Sequence, residues 1–312
     1  MRVTVVGAGV IGLVTARTLE ERGHEVAIVA AGQDRETTSD VAGAVWFPYR
    51  VGPPERVGAW AASTRRWLAR LAAESPRAGV DVLTGYEITP TADRPWWADA
   101  VDVTRAPAPV TGGPIAWRFE APRVEPRLFL PWLAAQLRAR IERRTVIDLA
   151  AEAGDVVVNC TGLGARTLCA DATLVPLLGQ IAIYEPGAID LTVSITDDRD
   201  PDHVFYVIPR RGEVVLGGCA IPLPPGAALP APSPAIDARI AADAARLGLR
   251  PGEPVTLRTG LRPYRPAVRL ERDPVHARVL HNYGHGGAGF TLARGCAEDV
   301  AALCDQSLMV PV

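Results

Sequence analysis

The chain has 312 residues, nearly half of them hydrophobic, and a formal net charge of −2. That length exceeds the roughly 250–300 residues that one core usually serves, so two domains are expected. With 33 basic side chains against 35 acidic ones and no block of like charge, the composition points away from nucleic acid and anionic membrane and toward a small-molecule partner.

Arg2 to Val6 is a buried β-branched run with no charged and apolar leader ahead of it. Gly7-Ala8-Gly9-Val10-Ile11-Gly12 then reads as a turn, Ile11 to Arg22 as an amphipathic helix ended by Gly23, and Glu25 to Val29 as a second strand. This βαβ unit puts a pyrophosphate at a helix N-terminus. The acid that completes such a fingerprint, about 20 residues past the turn, falls at Ala30 or Ala31, and Asp34 or Glu36 would replace it only through a loop shift. Its loss weakens NAD more than FAD. Thr37, Thr38 and Ser39 suit an N-cap and turn as well as a phosphate contact, and the small residues that follow let backbone approach a ring.

Segment 59–73 has helical periodicity, 81–120 is broken by Pro and Gly, and 126–142 is an amphipathic helix with apolar Leu128, Leu130, Leu133 and Leu137. Val156 to Val158 is another buried strand. Ile181 to Tyr184, Thr192 to Ile195, Val204 to Ile208 and Glu213 to Leu216 read as a meander, the last pair joined through Arg210-Arg211-Gly212. Residues 222–234 form a loop before a helix from Ala235 to Arg246. In His281 to Thr291, four glycines fall within six residues, which strips side chains from a place where backbone can meet a flat ligand, and Thr291 can open a helix.

All basic residues are Arg, which excludes a Schiff-base lysine. Cys160, Cys169, Cys219, Cys296 and Cys304 are odd in number and lack CxxC spacing, so neither a disulfide framework nor a metal site is expected. No apolar run nears the roughly 18 residues of a membrane span, and Met309-Val310-Pro311-Val312 is not a peroxisomal address. A cytoplasmic location is expected.

Five segments together resemble the D-amino-acid oxidase family: Val6 to Leu13, Thr37 to Tyr49, Val158-Asn159-Cys160-Thr161-Gly162, Gly260-Leu261-Arg262-Pro263-Tyr264-Arg265-Pro266 with Arg269-Leu270-Glu271, and His281 to Thr291. The last two carry most of the specificity, because the first is shared by many nucleotide-binding proteins. The resemblance implies an α/β fold of mixed α+β character. A Rossmann-like FAD-binding domain (1–51, 126–180 and 258–312) would carry an inserted, largely antiparallel substrate-binding domain (52–125 and 181–257).

It further implies non-covalent FAD, a D-amino acid and molecular oxygen as ligands, and hydride transfer from Cα to flavin N5 to give a 2-oxo acid, ammonia and hydrogen peroxide. A homodimer is an allowed assembly. Arg262 is the expected bidentate clamp for the substrate carboxylate, Tyr206 a second carboxylate partner, and the Gly287 carbonyl the acceptor for the amine. The cofactor residues would be Gly7, Ala8, Gly9, Val10, Ile11 and Gly12; Thr37, Thr38 and Ser39; Gly43, Ala44, Val45 and Trp46; Val146, Thr161 and Gly162; and Gly286, Gly287, Gly289, Phe290 and Thr291. No side chain is needed as acid or base, and His285 and the other arginines of the motif, Arg265 and Arg269, are read as structural.

The chain departs from the family at Leu178, where an Arg is usual, near Ala31, and in the short segment Asp197 to Phe205, which has no second lid Tyr. Gly218-Cys219-Ala220 lacks the Arg of D-aspartate oxidases, Trp46, Phe47 and Tyr49 suit apolar walls, and Arg50, Arg199, Arg210 and Arg211 read as loop charge. Neutral or apolar D-amino acids are therefore the expected substrates. The alternatives are a glycine, sarcosine or D-aspartate type oxidase, or a flavin-binding protein without turnover; an NAD dehydrogenase is remoter.

Overall fold

A computed structural model describes residues 1–32, 37–200 and 203–307. Asp34, Glu36 and Met309 to Val312 lie outside the described residues.

Strand β1 (Arg2–Val6), helix α1 (Val10–Glu21) and strand β2 (Glu25–Ala30) form the expected βαβ opening, with Gly23 left-handed after the helix. Helix α2 (Pro54–Glu74) leads into β3 (Val80–Ile88), β4 (Thr104–Pro107) and β5 (Ile115–Val124). Helix α3 (Pro126–Ala135), β6 (Ile141–Arg143), β7 (Val156–Asn159) and the one-turn α4 (Ala165–Leu168) follow. Then come β8 (Val175–Tyr184), β9 (Val193–Asp197), β10 (Phe205–Arg210), β11 (Glu213–Gly217) and β12 (Ile221–Pro222). Helix α5 (Pro234–Arg246), β13 (Pro254–Arg272), β14 (Val279–His285) and α6 (Gly289–Ser307) complete the chain.

Among the described residues the strands make one sheet, in the order β4-β5-β3-β9-β10-β11-β8-β13-β14-β7-β1-β2-β6, with β12 also on β8. From β6 to β14 the pairing is parallel. The Val-rich strands β1 and β7 are almost wholly buried, as a sheet covered on both faces requires. From β14 through β13, β8, β11, β10 and β9 it is antiparallel, and β3, parallel to β9, carries the antiparallel pair β5 and β4. Strand β13 belongs to both regions: Pro254 to Tyr264 pairs with β8, and Tyr264 to Arg272 pairs with β14 across a bulge.

One apolar core joins β1, α1 and α6, and Val57, Trp60, Ala61, Trp67 and Leu68 of α2 belong to it. A second lies where Ile195, Phe205, Val207 and Leu216 meet Ile240 and Ala244 of α5.

Three departures from the sequence pattern have physical causes. The helix expected over 126–142 holds Pro131 within it and stops at Ala135, and Ile141 to Arg143 instead pairs with the open edge of β2. The broken stretch 81–120 contains β3, β4 and most of β5. Gly85 is no breaker there, since a Cβ on it would meet the Phe119 ring at 2.8 Å. Helix α6 begins at Gly289, so Thr291 lies inside its first turn rather than ahead of it.

Candidate active site

The turn between β1 and α1 is built by close backbone contacts. Gly7 has φ 117°, and a Cβ on it would sit 2.4 Å from the Cys160 carbonyl oxygen; a Cβ on Gly12 would sit 1.9 Å from the Gly7 carbonyl oxygen. Gly9 is the N-cap of α1 and supplies no side-chain cap, and the first turn holds no acid, so the positive end of the helix stays uncompensated by its own side chains. The Val10 N–H donates to Ser39 Oγ at 3.0 Å, which folds the hydroxyl segment over the helix end. Asp40 accepts from the Thr37 N–H and hydroxyl, and Thr38 Oγ1 donates to the Leu261 carbonyl, so this segment is an Asp-closed turn as well as a wall.

This turn opens into a cleft of about 1440 Å³ that runs from Ala30, Ala31 and Val146 past Thr161 and Gly162 to Tyr206, Arg262 and Gly287. Of the cofactor positions expected from sequence, Gly7 to Ile11, Thr37, Thr38, Ser39, Gly43, Ala44, Val45, Val146, Thr161, Gly162, Gly286, Gly287, Gly289 and Phe290 line it. Gly12, Trp46 and Thr291 stand behind the lining. Gly12 is a packing contact. Trp46, fully buried, donates its indole N–H to the Ala61 carbonyl and packs edge-on to Trp97, so it is core rather than wall. Thr291 is committed to Phe47, accepting from its N–H at 3.1 Å and donating to its carbonyl at 2.9 Å.

At the far end, Arg262 and Tyr206 converge from different strands. Arg262 donates through Nη1 to the Cys219 carbonyl at 2.6 Å and through Nη2 to the Tyr206 hydroxyl at 3.4 Å. Its guanidinium lies over Gly179, where a Cβ would come within 2.6 Å of it, and the Tyr206 ring lies over Gly217 and Gly218, where a Cβ would come within 2.3 and 2.7 Å. Burial raises the Tyr206 pKa, against the pull of Arg262, so its hydroxyl remains a donor. Tyr49 packs on Gly287, its buried hydroxyl has no partner among the described residues, and burial raises its pKa too. Burial pushes His285 down to about 3, too weak a base to hold a proton at neutral pH.

A family model described as FAD dependent oxidoreductase matches residues 2–303. The chain belongs to this family. It is 41% identical to a D-amino-acid oxidase of Rubrobacter xylanophilus (98% of this chain, 97% of that one) and 40% identical to one of Streptomyces coelicolor (96% of each). Its fold is similar to that of glycine oxidase from Geobacillus kaustophilus, at TM-score 0.79 and 20% identity, covering 98% of this chain and 95% of the other.

For an FAD dependent oxidoreductase the cleft has the right form. Its volume exceeds the roughly 300–1,000 Å³ of drug-sized ligand sites, as a dinucleotide plus substrate needs, and a bare backbone cradle meets a helix N-terminus at one end. No acid stands at Ala30 or Ala31; instead Arg143, level with Ala30 across the β2–β6 pair, lines that end.

Arg199, Arg210 and Arg211 pair with Asp197, Glu213 and Asp81, and Arg50 stacks on Tyr49; none of the four lines the cleft. Arg265 pairs with Asp171 and Arg269 with Glu271. Sequence reasoning missed Glu87. It stands level with Thr196, which stands level with cleft-lining Tyr206, so all three share one sheet face. Burial, then the charge of Asp198, raises Glu87 to about 7, against a bond from Trp97. Nothing in a lone Glu between Tyr86 and Ile88 announces this.

Proposed function

We propose that this chain oxidises D-amino acids, neutral and apolar ones preferred, to 2-oxo acids with release of ammonia and hydrogen peroxide. The observation that carries the reading is the convergence of Arg262 and Tyr206 over Gly179 and Gly217, facing Gly287, at the end of a cleft whose other end is a dinucleotide cradle. The D-amino-acid oxidases among its relatives support the same reading.

The Arg262 guanidinium holds the substrate carboxylate and the Tyr206 hydroxyl donates to it; the Gly287 carbonyl accepts from the amine. Three fixed contacts define one face of Cα, and orientation supplies most of the rate. FAD held in the cleft would supply the hydride acceptor for Cα, with oxygen as the final oxidant. The α1 turn with Ser39 would hold its pyrophosphate, Thr161 and Gly162 its middle, and Gly286, Gly289 and Phe290 the flavin edge. Thr291 would act through Phe47, which it fixes. Tyr49, Phe47, Ile181 and Ile208 make the side-chain end mainly apolar, which favours neutral substrates.

Within this reading, residues 52–125 and 181–257 form the substrate-binding domain, and the enzyme is a cytoplasmic homodimer, to be checked by fractionation and sedimentation. No helix among the described residues is long and apolar enough to cross a membrane.

The test is anaerobic addition of D- and L-amino acids to the purified yellow protein. Bleaching of the flavin bands by D-alanine or D-valine is expected; bleaching by L-enantiomers only, or by glycine and sarcosine but no larger D-amino acid, overturns the reading.

A further inference from the structure

Outside the cleft, a nucleophile and a base meet beneath the segment after β7. The Cys169 sulfur, at the end of α4, accepts from Asn159 Nδ2 at 3.1 Å and lies 3.9 Å from His281 Nδ1. His281 Nε2 is 2.9 Å from Asp273 Oδ2. A carboxylate only accepts, so Nε2 carries the proton and Nδ1 keeps a lone pair, which faces Asn159 Nδ2 at 3.4 Å as well as the thiol. Burial lowers the His281 pKa, against the bond to Asp273, so the imidazole is neutral, as a base must be. Burial also raises the Cys169 pKa, against Arg269, Tyr283 and Asn159, so the sulfur is a thiol that needs a neighbouring base.

Exposure separates this cysteine from the others. All five are free, yet Cys160, Cys219, Cys296 and Cys304 are buried and only Cys169 is partly open to solvent. Its neighbour Leu168 lines the cleft.

We propose that Cys169 is a peroxide-modification site, where His281, oriented by Asp273, activates the thiol for oxidation to a sulfenic acid. The proposal rests on the oxidase reading for its oxidant, hydrogen peroxide formed in the cleft that the neighbouring Leu168 lines. The thiol gives its proton to His281 Nδ1 and the sulfur attacks one peroxide oxygen. The S–O bond forms as the O–O bond breaks, and the leaving hydroxide takes the proton from His281 and departs as water. Sulfur is oxidised and peroxide reduced, with no other reactant.

The modification reaches the cleft through one amide. Asn159, whose Nδ2 faces the sulfur, accepts through Oδ1 from the Thr161 N–H at 3.2 Å and from its hydroxyl at 2.7 Å, and Thr161 lines the cleft. An oxygen added to the sulfur displaces that amide and with it Thr161, so oxidation loosens the cofactor.

The experiment treats holoenzyme, without amino acid, with added hydrogen peroxide and dimedone and maps adducts by peptide mass spectrometry. The expected adduct is on Cys169, about tenfold above any other cysteine, as exposure and the adjacent base dictate. It disappears in Cys169→Ser, or in Cys169→Ala should the serine variant not fold. Asp273→Asn, which keeps an oxygen for the Val275 and His276 N–H groups, labels several-fold more slowly. FAD lost on gel filtration rises with labelling in the wild type and not in Cys169→Ser. No adduct at Cys169, equal labelling of all five cysteines, or wild-type labelling of Asp273→Asn overturns the proposal; equal FAD loss in Cys169→Ser overturns the coupling. Because peroxide is supplied, absent turnover of D-amino acids would sink the functional reading without deciding this one.

Discussion

The two ends of the cleft recognise their ligands by opposite means. At the α1 end, side chains are removed: Gly7 and Gly12 let backbone approach backbone, Gly9 makes room for the Ser39 hydroxyl, and a helix terminus is left to face the ligand. At the Arg262 end, glycines are again present, yet Gly179, Gly217 and Gly218 make room for two large side chains that do the recognising. The same residue type thus serves as contact surface in one place and as clearance in the other. A defect at the first end should cost cofactor, and a defect at the second should cost substrate alone.

The largest expected effect tests the second half of that statement. Arg262→Ala removes a charge-assisted pair with the carboxylate, and kcat/KM for a D-amino acid should fall by about 10³-fold while FAD content is unchanged. Steady-state kinetics and the visible spectrum of one preparation report both. Equal loss of FAD would show that the guanidinium supports the cofactor end as well, and the contrast would fail.

Gly12→Ala tests the first half. Its Cβ would stand 1.9 Å from the Gly7 carbonyl oxygen, a clash of backbone against backbone that no rotamer relieves. The strain should lower stability by about 1–3 kcal/mol and release FAD, with the KM of the fraction that keeps FAD near the wild-type value. Denaturant melts and FAD titration read the two effects. A stable, fully loaded Gly12→Ala protein would mean the turn tolerates a side chain.

The two ends also differ in how far the sequence reveals them. The βαβ opening is local: a β-branched run, a glycine turn and an amphipathic helix lie within 30 residues, and β1, α1 and β2 fall within a residue or so of the expected bounds. The antiparallel wall is not local. Strand β13 carries Pro254, Pro263 and Pro266, yet it forms because its partners β8 and β14 come from elsewhere; the register shifts at Pro254 and between Tyr264 and Arg269, where Pro266 lies, while Pro263 stands level with Pro176 of β8. Arg262 was found through a family resemblance, not through periodicity. Trp46 misleads because an aromatic beside Phe47 and Tyr49 looks like wall, and contacts with Ala61, Trp97 and Phe119, all distant in sequence, make it core.

Glu87 sharpens the comparison, because it belongs to the sheet face of the substrate end yet no pattern marks it. Burial, then Asp198, holds its folded-state pKa at about 7, above the ordinary 4.5. Below about pH 4.5 it is protonated in both states; as pH rises through that window the unfolded chain ionises first, and stability falls. The full penalty is about 3 kcal/mol above pH 7. Glu87→Gln should therefore be more stable than wild type in urea melts at pH 8, with the difference gone below about pH 4. A pH-independent difference would mean that Glu87 ionises in the fold as readily as in water.

The smallest effect asks whether the two large side chains over the glycines act as one. Tyr206→Phe keeps the ring against Gly217 and Gly218 and removes only the hydroxyl, which stands 3.4 Å from Arg262 Nη2 and whose own proton is left for the substrate. Loss of one hydrogen bond to a charged carboxylate is worth about 1.5 kcal/mol, or roughly tenfold in kcat/KM. If hydroxyl and guanidinium share the carboxylate, the double variant Arg262→Ala with Tyr206→Phe should be scarcely worse than Arg262→Ala alone, since without the clamp the carboxylate no longer sits where the hydroxyl can reach it. Additive losses would instead assign Tyr206 a partner of its own, and the substrate end would then consist of two independent contacts rather than one divided between strands β10 and β13.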